Sequence, residues 1–175
     1  MAYSGQQTND NGYAIAGYTS SFGAGSTDFW LVKTDPYGNS EWNKTYGGKL
    51  QDEAYAVQQT NDNGYILAGS TNSFGAGFSD FWLIKTNSNG EAIWNKTYGG
   101  PRWDAANSVI ETNDRGYIAA GGTNSFGSGY QDFWLVKTDQ NGLMQWNNTY
   151  GGPYDDCAYA VQQTDDLGYI VCGYT

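Results

Sequence analysis

The heptapeptide DFWLVKT at residues 28–34 returns as DFWLIKT at residues 80–86 and as DFWLVKT at residues 132–138. The step between copies is 52 residues. A second tryptophan keeps the same step, at Trp42, Trp94 and Trp146. Three such units leave 19 of the 175 residues, and these last residues repeat the start of a unit. A fixed period of this length indicates a repeat architecture, so one unit can be interpreted for all of them.

Each unit carries four patterns that favour β-strands, labelled A to D and described here in the second unit. Strand A is predicted at residues 54–60, strand B at 65–70, strand C at 81–86 and strand D at 91–98. The Asn-Gly pair between A and B favours a tight hairpin turn with positive φ at both central residues. Strands B and C are apolar at consecutive positions, which predicts that both of their faces are buried. No stretch shows helical periodicity.

Buried central strands need cover on both faces of the sheet, which a single sheet does not provide. A radial array of sheets does, and repeats of about 40–50 residues with four strands and a periodic tryptophan are typical of a β-propeller. A parallel β-helix is excluded because its repeats are much shorter. We therefore predict an all-β fold, a β-propeller with four-stranded antiparallel blades at residues 2–53, 54–105 and 106–157 and a further A–B hairpin at residues 158–175. Six tryptophans are predicted to dock between blades: Trp30, Trp42, Trp82, Trp94, Trp134 and Trp146.

The C–D turn carries a further motif, Asp/Asn-x-x-Gly-x-x-x-Trp, at residues 35–42, 87–94 and 139–146. It resembles the C–D hairpin of quinoprotein-like (PQQ-like) propellers, and this resemblance implies a tryptophan docked between blades. The repeats are also similar to those of uncharacterised secreted or surface propellers of archaea and bacteria, which implies an extracellular or cell-surface location. The cofactor-binding residues of the quinoprotein enzymes find no match here, and Asn87 departs from the aspartate of the motif. No cofactor is implied.

The number of blades bears on assembly. Propellers use about four to eight blades, whereas the sequence encodes three full units and one A–B hairpin. Three blades alone would expose a strand edge and two open faces, which favours association. We expect a homo-oligomer, most simply a two-fold dimer that closes a six-bladed ring, with one hairpin redundant or exchanged between chains, or a filament if exchange does not close. The alternative is that the 175 residues are part of a longer propeller.

The loops predict where a ligand binds. The A–B and C–D turns share one end of each blade and are short, whereas the B–C and D–A connections share the other end. These longer connections include the glycine-rich loop at residues 21–25 and the positions that differ most between units. Aromatic rings there suit a carbohydrate or a protein ligand. The candidate ligand-binding residues are Phe78, Arg102, Trp103, Tyr130 and Tyr154. The recurrent Phe22, Phe74 and Phe126 are interpreted as plugs between blades.

Composition and charge exclude several classes of function. Lys and Arg number 8 against 18 Asp and Glu, and the net charge of −10 disfavours nucleic acid and anionic membranes as partners. No apolar run is long enough for insertion into a membrane. Histidine is absent, and no nucleophile elbow, P-loop or paired-carboxylate motif stands apart from the repeated turns. The acids interpreted as breaking the repeat, Glu53, Asp155 and Asp156, form no catalytic set, so an enzyme is not predicted.

Three further groups of polar residues have structural interpretations. Asp28, Asp80 and Asp132 open strand C in every unit, and we favour hydrogen bonds to loop amides over a cation site, so no metal is predicted. Cys157 and Cys172 make neither a disulfide framework nor a zinc site, and Cys172 is expected to be buried. Sequons for N-glycosylation begin at Asn43, Asn95 and Asn147 on the outermost strand.

These observations predict a non-catalytic surface or secreted module for binding or adhesion. The alternative is a purely structural, self-assembling repeat protein without a small-molecule ligand.

Overall fold

The computed structural model describes residues 1–175 as fourteen β-strands without a helix, which confirms the predicted all-β class. In chain order the strands are β1 (Ala2–Gln7), β2 (Tyr13–Thr19), β3 (Asp28–Thr34), β4 (Ser40–Tyr46), β5 (Asp52–Gln59), β6 (Tyr65–Thr71), β7 (Asp80–Thr86), β8 (Ala92–Tyr98), β9 (Asp104–Glu111), β10 (Tyr117–Thr123), β11 (Asp132–Thr138), β12 (Met144–Tyr150), β13 (Cys157–Gln163) and β14 (Tyr169–Tyr174). The chain offers no helix of the length and apolarity that a membrane span requires.

The strands form four antiparallel sheets in which each strand pairs with the next along the chain. Sheet 1 contains β1 to β4, sheet 2 contains β5 to β8 and sheet 3 contains β9 to β12, whereas β13 and β14 form a terminal hairpin. The three repeats of the sequence therefore correspond to three sheets with the same strand order.

The first strand of the second repeat begins earlier than predicted. β5 starts at Asp52 rather than at residue 54, because Asp52 pairs with Thr71 on β6. The register then shifts between Ala54 and Ala56, which marks a β-bulge. Since a bulge interrupts the alternation of side chains, the sequence pattern did not mark the start of the strand.

The A–B turn differs from the two-residue turn that the sequence predicted. Asn63 has a φ of 63°, but Gly64 does not have a positive φ. The amide of Asn63 donates to Thr60 O and the amide of Thr60 donates to Gly64 O, both at 2.9 Å, so the turn is longer and contains one left-handed residue. Glycine is required at position 64 for a different reason: a Cβ there would overlap Thr86 O on the neighbouring strand.

The hydrophobic cores lie between successive sheets. Every residue of β6, β7 and β10 is buried, as the consecutive apolar positions of strands B and C predicted. Trp82 of sheet 2 packs edge-on against Phe29 of sheet 1, with ring centroids 4.7 Å apart. Trp134 of sheet 3 packs against Phe81 of sheet 2 in the same way, at 4.6 Å. Trp30 is the equivalent residue of sheet 1 and is only partly buried, because no strand lies against that side of the sheet.

The first strands of successive sheets lie next to one another, whereas their fourth strands lie apart. The sheets therefore diverge from the first strand to the fourth. The outer gap is filled by Trp42, whose ring lies 5.8 Å from that of Tyr65 on the next sheet. The indole also rests on Gly90, where a Cβ would lie 2.7 Å from the ring. Tyr46 Oη donates to Gly90 O at 2.6 Å. The tryptophan of one C–D motif therefore docks on the glycine of the next.

The terminal hairpin is covered on one side only. Ala158 and Val161 of β13 pack against sheet 3, but Ile170 and Cys172 of β14 are exposed. The prediction that Cys172 is buried is therefore wrong. The alanines at the equivalent positions lie in central strands covered by a neighbouring sheet, whereas β14 is the edge of a two-stranded sheet. Cys157 is the buried cysteine.

Candidate functional site

Every sheet presents two different ends. The strand order brings the A–B and C–D turns to one end, here called the hairpin end, and the B–C and D–A connections to the other, here called the loop end. At the loop end, each B–C loop forms a parallel bridge with the connection that leads to the next sheet: Thr27 with Gln51, Ser79 with Trp103 and Gln131 with Asp155. The two sets of connections therefore lie at opposite ends, as predicted.

The first group of candidate ligand-binding residues is Phe78, Arg102 and Trp103. Their loops are joined through the backbone, because the amide of Ser79 donates to Arg102 O at 3.3 Å and Ser79 pairs with Trp103. The side chain of Phe78 is 80% exposed and that of Trp103 is 39% exposed. Two adjoining, hydrogen-bonded loops thus carry the exposed ring of Phe78, the partly covered ring of Trp103 and the guanidinium group of Arg102.

The second group is Tyr130 and Tyr154, one sheet further along the chain. The bridge between Gln131 and Asp155 brings their loops together, and Asn124 Nδ2 donates to Tyr130 O at 2.7 Å. Tyr130 is 72% exposed and Tyr154 is 75% exposed. The structure therefore brings the candidates together within each group and places the two groups at different junctions between sheets.

Buried aspartates fix the backbone of the B–C loops. Asp28 Oδ2 accepts hydrogen bonds from the amides of Ala24 and Gly25, both at 3.1 Å. Asp80 and Asp132 accept from the corresponding amides of their own loops. This confirms the predicted hydrogen bonds from Asp28, Asp80 and Asp132 to loop amides.

A second set of buried aspartates lies at the start of the first strand of each later repeat, or directly before it: Asp52 and Asp104 open β5 and β9, and Asp156 precedes β13. Asp52 accepts hydrogen bonds from the hydroxyls of Thr71 and Ser73 and from the amide of Gly48, the last at 2.8 Å. Asp156 accepts the amide of Gly152 at 2.7 Å. The interpretation of Asp156 as an acid that breaks the repeat is therefore wrong. It lies 52 residues after Asp104, and this step was the signal that could have identified it.

Phe74 and Phe126 lie at the rim of the cores between sheets, whereas Phe22 of sheet 1 has no preceding sheet beside it and is 62% exposed, so it does not act as a plug within the chain. Phe74 packs against Trp82 of its own sheet, with centroids 5.3 Å apart, and Phe126 packs against Trp134 at 5.1 Å. A Cβ on Gly48, in the connection from the preceding sheet, would lie 3.1 Å from the ring of Phe74. These rings therefore contact both sides of a junction, which supports their interpretation as plugs.

The hairpin end contains clefts that the sequence did not predict. One of about 300 Å³ lies between sheets 2 and 3, and one of about 350 Å³ lies between sheets 1 and 2. Each is lined by an acid–lysine pair and by the aromatic pair of the outer gap: Asp62, Lys85, Trp94 and Tyr117 in the first, and Asp10, Lys33, Trp42 and Tyr65 in the second. Since these residues come from separate turns and strands of two sheets, no local pattern marks the cleft.

The lysines of these clefts are engaged by the fold. Lys85 is buried, and its Nζ lies 2.8 Å from Asp62 Oδ2 and donates to Thr86 O at 2.8 Å. Burial alone would raise the pKa of Asp62, but its hydrogen bonds, first of all from Lys85, lower this pKa to about 2. The pKa values of Asp10 and Asp114 are also lowered to about 2. Each pair holds an A–B turn against strand C.

We expect the fold to lose stability on acidification between about pH 4 and pH 2. The pKa of Asp62 is about 2 in the folded chain and 3.8 ordinarily, so this carboxylate stabilises the folded state above about pH 4. That contribution is lost as the pH falls through the folded pKa. Urea unfolding at pH values from about 6 to about 2.5 measures the loss.

Two variants isolate this effect. Asp62→Asn is expected to lose less stability than the wild type over the same interval, since it lacks the perturbed carboxylate. Asp165→Asn changes an exposed acid of the same end and is expected to follow the wild type. The same pH dependence in all three proteins would contradict the assignment.

The three sequon asparagines are exposed on the fourth strands. Each Oδ1 accepts a hydrogen bond from an indole Nε1 on the adjacent strand: Asn43 from Trp30 at 3.3 Å, Asn95 from Trp82 at 3.4 Å and Asn147 from Trp134 at 3.1 Å. Each asparagine therefore satisfies the polar atom of an indole, and the indoles of Trp82 and Trp134 pack between sheets.

Comparisons with known proteins bear on the fold alone. No family model and no curated protein matches this sequence. The structure is similar to the crystal structure of a protein of unknown function from Bacteroides caccae, with a TM-score of 0.56 and 9% sequence identity over 97% of this chain. The chain spans 52% of that protein, about half of its length.

Proposed function

We propose that the chain supplies three blades and part of a fourth to a β-propeller that acts as a non-catalytic binding module. Three observations support the propeller: the common strand order of the sheets, their divergence from adjoining first strands, and the aromatic contacts across each junction. The greater length of the Bacteroides caccae protein is consistent with a ring of more blades than one copy of this chain supplies. A closer relationship to quinoprotein-like propellers rests on the C–D motif, in which a tryptophan docks on the glycine of the next blade.

The ligand site that we propose is the loop end, and the ligand is a carbohydrate or a protein surface. The observation that carries this proposal is that Phe78, Tyr130 and Tyr154 project from loops whose backbone is fixed by buried aspartates, the first two by Asp80 and Asp132 and the connection with Tyr154 by Asp156. A ring on a rigid loop loses little conformational freedom on binding. Such rings stack on the apolar faces of sugars and anchor protein partners.

We place the protein outside the cell or on its surface. The exposed sequons on the fourth strands support this location, since a glycan attached there would extend away from the cores. The intact mass of material from the native source tests it: an added glycan mass supports the location, and a mass equal to that of the bare chain contradicts glycosylation.

Alanine at Trp103 and Tyr154 tests the ligand site. Because Tyr154 is 75% exposed and Trp103 is 39% exposed, we expect the unfolding temperature to change by less than about 2 °C in Tyr154→Ala and by less than about 4 °C in Trp103→Ala. Binding to the recurrent hits of a glycan array, or to a captured protein partner, should weaken at least about tenfold. Tyr37→Ala is the matched control, because Tyr37 is 90% exposed at the hairpin end. A large loss of stability, or unchanged affinity, would place these residues outside the site.

A second candidate function, self-assembly, is favoured by the outermost faces. Ile170 is 60% exposed, whereas the equivalent Ile66 and Ile118 are completely buried by neighbouring sheets. On the opposite side, Tyr13 of sheet 1 is 40% exposed, whereas the equivalent Tyr65 and Tyr117 are buried against a tryptophan of the preceding sheet. We propose that a second copy covers these faces, most simply in a dimer that closes a six-bladed ring.

Sedimentation at micromolar concentration tests self-assembly. A mass of two chains is expected, and a stable monomer would contradict the proposal. Ordered assembly, together with no binding to any glycan on an array, would favour the purely structural alternative over the binding module.

A further inference from the structure

The six buried aspartates of the loop end form three pairs, one at each junction. Asp28 and Asp52 meet beside Gly47: a Cβ added there would overlap Asp28 Oδ1 and lie 2.9 Å from Asp52 Oδ2. Asp28 is 1% exposed and Asp52 is 0% exposed. The same geometry recurs beside Gly99 with Asp80 and Asp104, and beside Gly151 with Asp132 and Asp156.

No positively charged side chain pairs with these carboxylates. All ion pairs of the protein involve acids of the hairpin end, and they use the lysines Lys33, Lys85 and Lys137. Asp28 Oδ1, the oxygen nearest Gly47, is buried and has no hydrogen-bond partner. Two buried carboxylates within about 5 Å of each other repel strongly unless a cation or a proton compensates their charge.

The second pair has the same geometry. Asp80 is 1% exposed and Asp104 is 0% exposed, and a Cβ on Gly99 would overlap Asp80 Oδ1 and lie 2.8 Å from Asp104 Oδ2. Because two loop amides bond to Asp80 Oδ2, the other oxygen of Asp80 is free to bind a cation without loss of the loop contacts.

We propose that each junction binds one Ca²⁺ ion between its two aspartates. A divalent ion balances the two carboxylates of a pair. The donors are all oxygens, which suits a hard cation and disfavours metals that prefer nitrogen or sulfur. Ca²⁺ tolerates irregular geometry and completes its six to eight ligands with water and backbone carbonyls, whereas Mg²⁺ demands a near-ideal octahedron.

A bound ion would connect three segments of the loop end. Asp28 holds the amides of its own B–C loop, whereas Asp52 holds Gly48 of the connection and Ser73 of the next B–C loop. An ion shared by Asp28 and Asp52 therefore fixes the loops of two successive sheets relative to each other. Calcium in this position stiffens the loops that carry the exposed aromatic rings.

Calorimetric titration with CaCl₂, after removal of metal with a chelator, tests the proposal. We expect saturable binding of up to three ions per chain, one for each pair. With calcium at about one hundred times its dissociation constant, the unfolding temperature should rise by at least about 5 °C. The calcium titration uses no other ligand, so its result is independent of the proposed ligand site. A lack of binding on a glycan array would not contradict calcium binding, and a lack of calcium binding would not contradict the ligand site at the loop end.

Asp80→Asn identifies the site. The amide oxygen of asparagine can accept from the same loop amides and its NH₂ group can donate toward Asp104, so the variant is expected to fold without calcium. The number of bound ions should fall by one, whereas Asp165→Asn at the hairpin end should leave it unchanged. No saturable binding at millimolar calcium, an unchanged number of ions in Asp80→Asn, or tighter binding of Mg²⁺ than of Ca²⁺ would each overturn the proposal. Stabilisation on mild acidification without any effect of calcium would overturn it in favour of a shared proton.

Discussion

Trp134→Ala is expected to lower the free energy of unfolding by about 3–5 kcal/mol. The indole is 1% exposed and packs against Phe81 of the preceding sheet and Phe126 of its own loop, with centroids 4.6 and 5.1 Å away. Alanine would leave a cavity in the core between sheets 2 and 3, and the paired strands on both sides restrict its collapse. Urea unfolding monitored by circular dichroism measures the loss.

The repeat offers a matched control at the same position. Trp30 of sheet 1 is only partly buried, and the aromatic ring nearest to it is Phe22, at 6.4 Å. Trp30→Ala should therefore cost about 1 kcal/mol or less when measured on dilute protein, where no second copy covers sheet 1. Equal losses in the two variants would show that the docking of one sheet on the next is not what makes the tryptophan important.

The strands were predictable because the order of apolar and polar residues within each repeat indicates where its strands lie. In DFWLVKT, the apolar residues Phe29 and Leu31 face one way and Trp30 and Val32 face the other, so the pattern alone indicates a strand that is covered twice. The details that failed depend on backbone geometry. The bulge at the start of β5 and the longer A–B turn are decided by pairing with a neighbouring strand, which a local pattern does not record.

The contacts between sheets were only partly predictable. A tryptophan at a fixed step indicated a docking role, and the glycine of the C–D motif was also visible, but the sequence did not show that Trp42 docks on the motif glycine of the next repeat, Gly90. The hydrogen bond from Tyr46 Oη to Gly90 O was missed for the same reason. The burial of Cys172 was inferred from equivalent positions, and this failed because equivalence in sequence does not supply the covering sheet.

The candidate sites show the same limit. Variable aromatic residues in long loops predicted exposed side chains, which the structure places at the loop end. The pairing of Asp28 with Asp52 could not be predicted, because the two residues belong to different repeats and meet only where two sheets adjoin. The clefts of the hairpin end likewise combine residues from two sheets. Strands and exposed loop residues lie within one repeat and could be predicted from the sequence. The aspartate pairs and the clefts form between two repeats, and identifying them required the structure.

Gly69→Ala is expected to lower the free energy of unfolding by about 3 kcal/mol, the upper part of the usual range for overpacking. Gly69 lies on β6 opposite the bulge of β5, where a Cβ would overlap Glu53 O and lie 2.8 Å from the Cα of Ala54. It would also lie 2.8 Å from the ring of Phe29 on sheet 1. Backbone on one side and a buried ring on the other leave the methyl group no direction in which to move.

Gly5→Ala is the matched control, because Gly5 is also a glycine within a strand. Its Cβ would meet only Ala14 O, at an ordinary 3.8 Å. Alanine there should leave stability unchanged or raise it by about 0.5 kcal/mol, since it reduces the freedom of the unfolded chain. Thermal and urea unfolding of both variants measure the difference. If Gly69→Ala were as stable as Gly5→Ala, then β5 and β6 would have room to separate, and the close approach of the two strands at the bulge would not be a requirement of the fold.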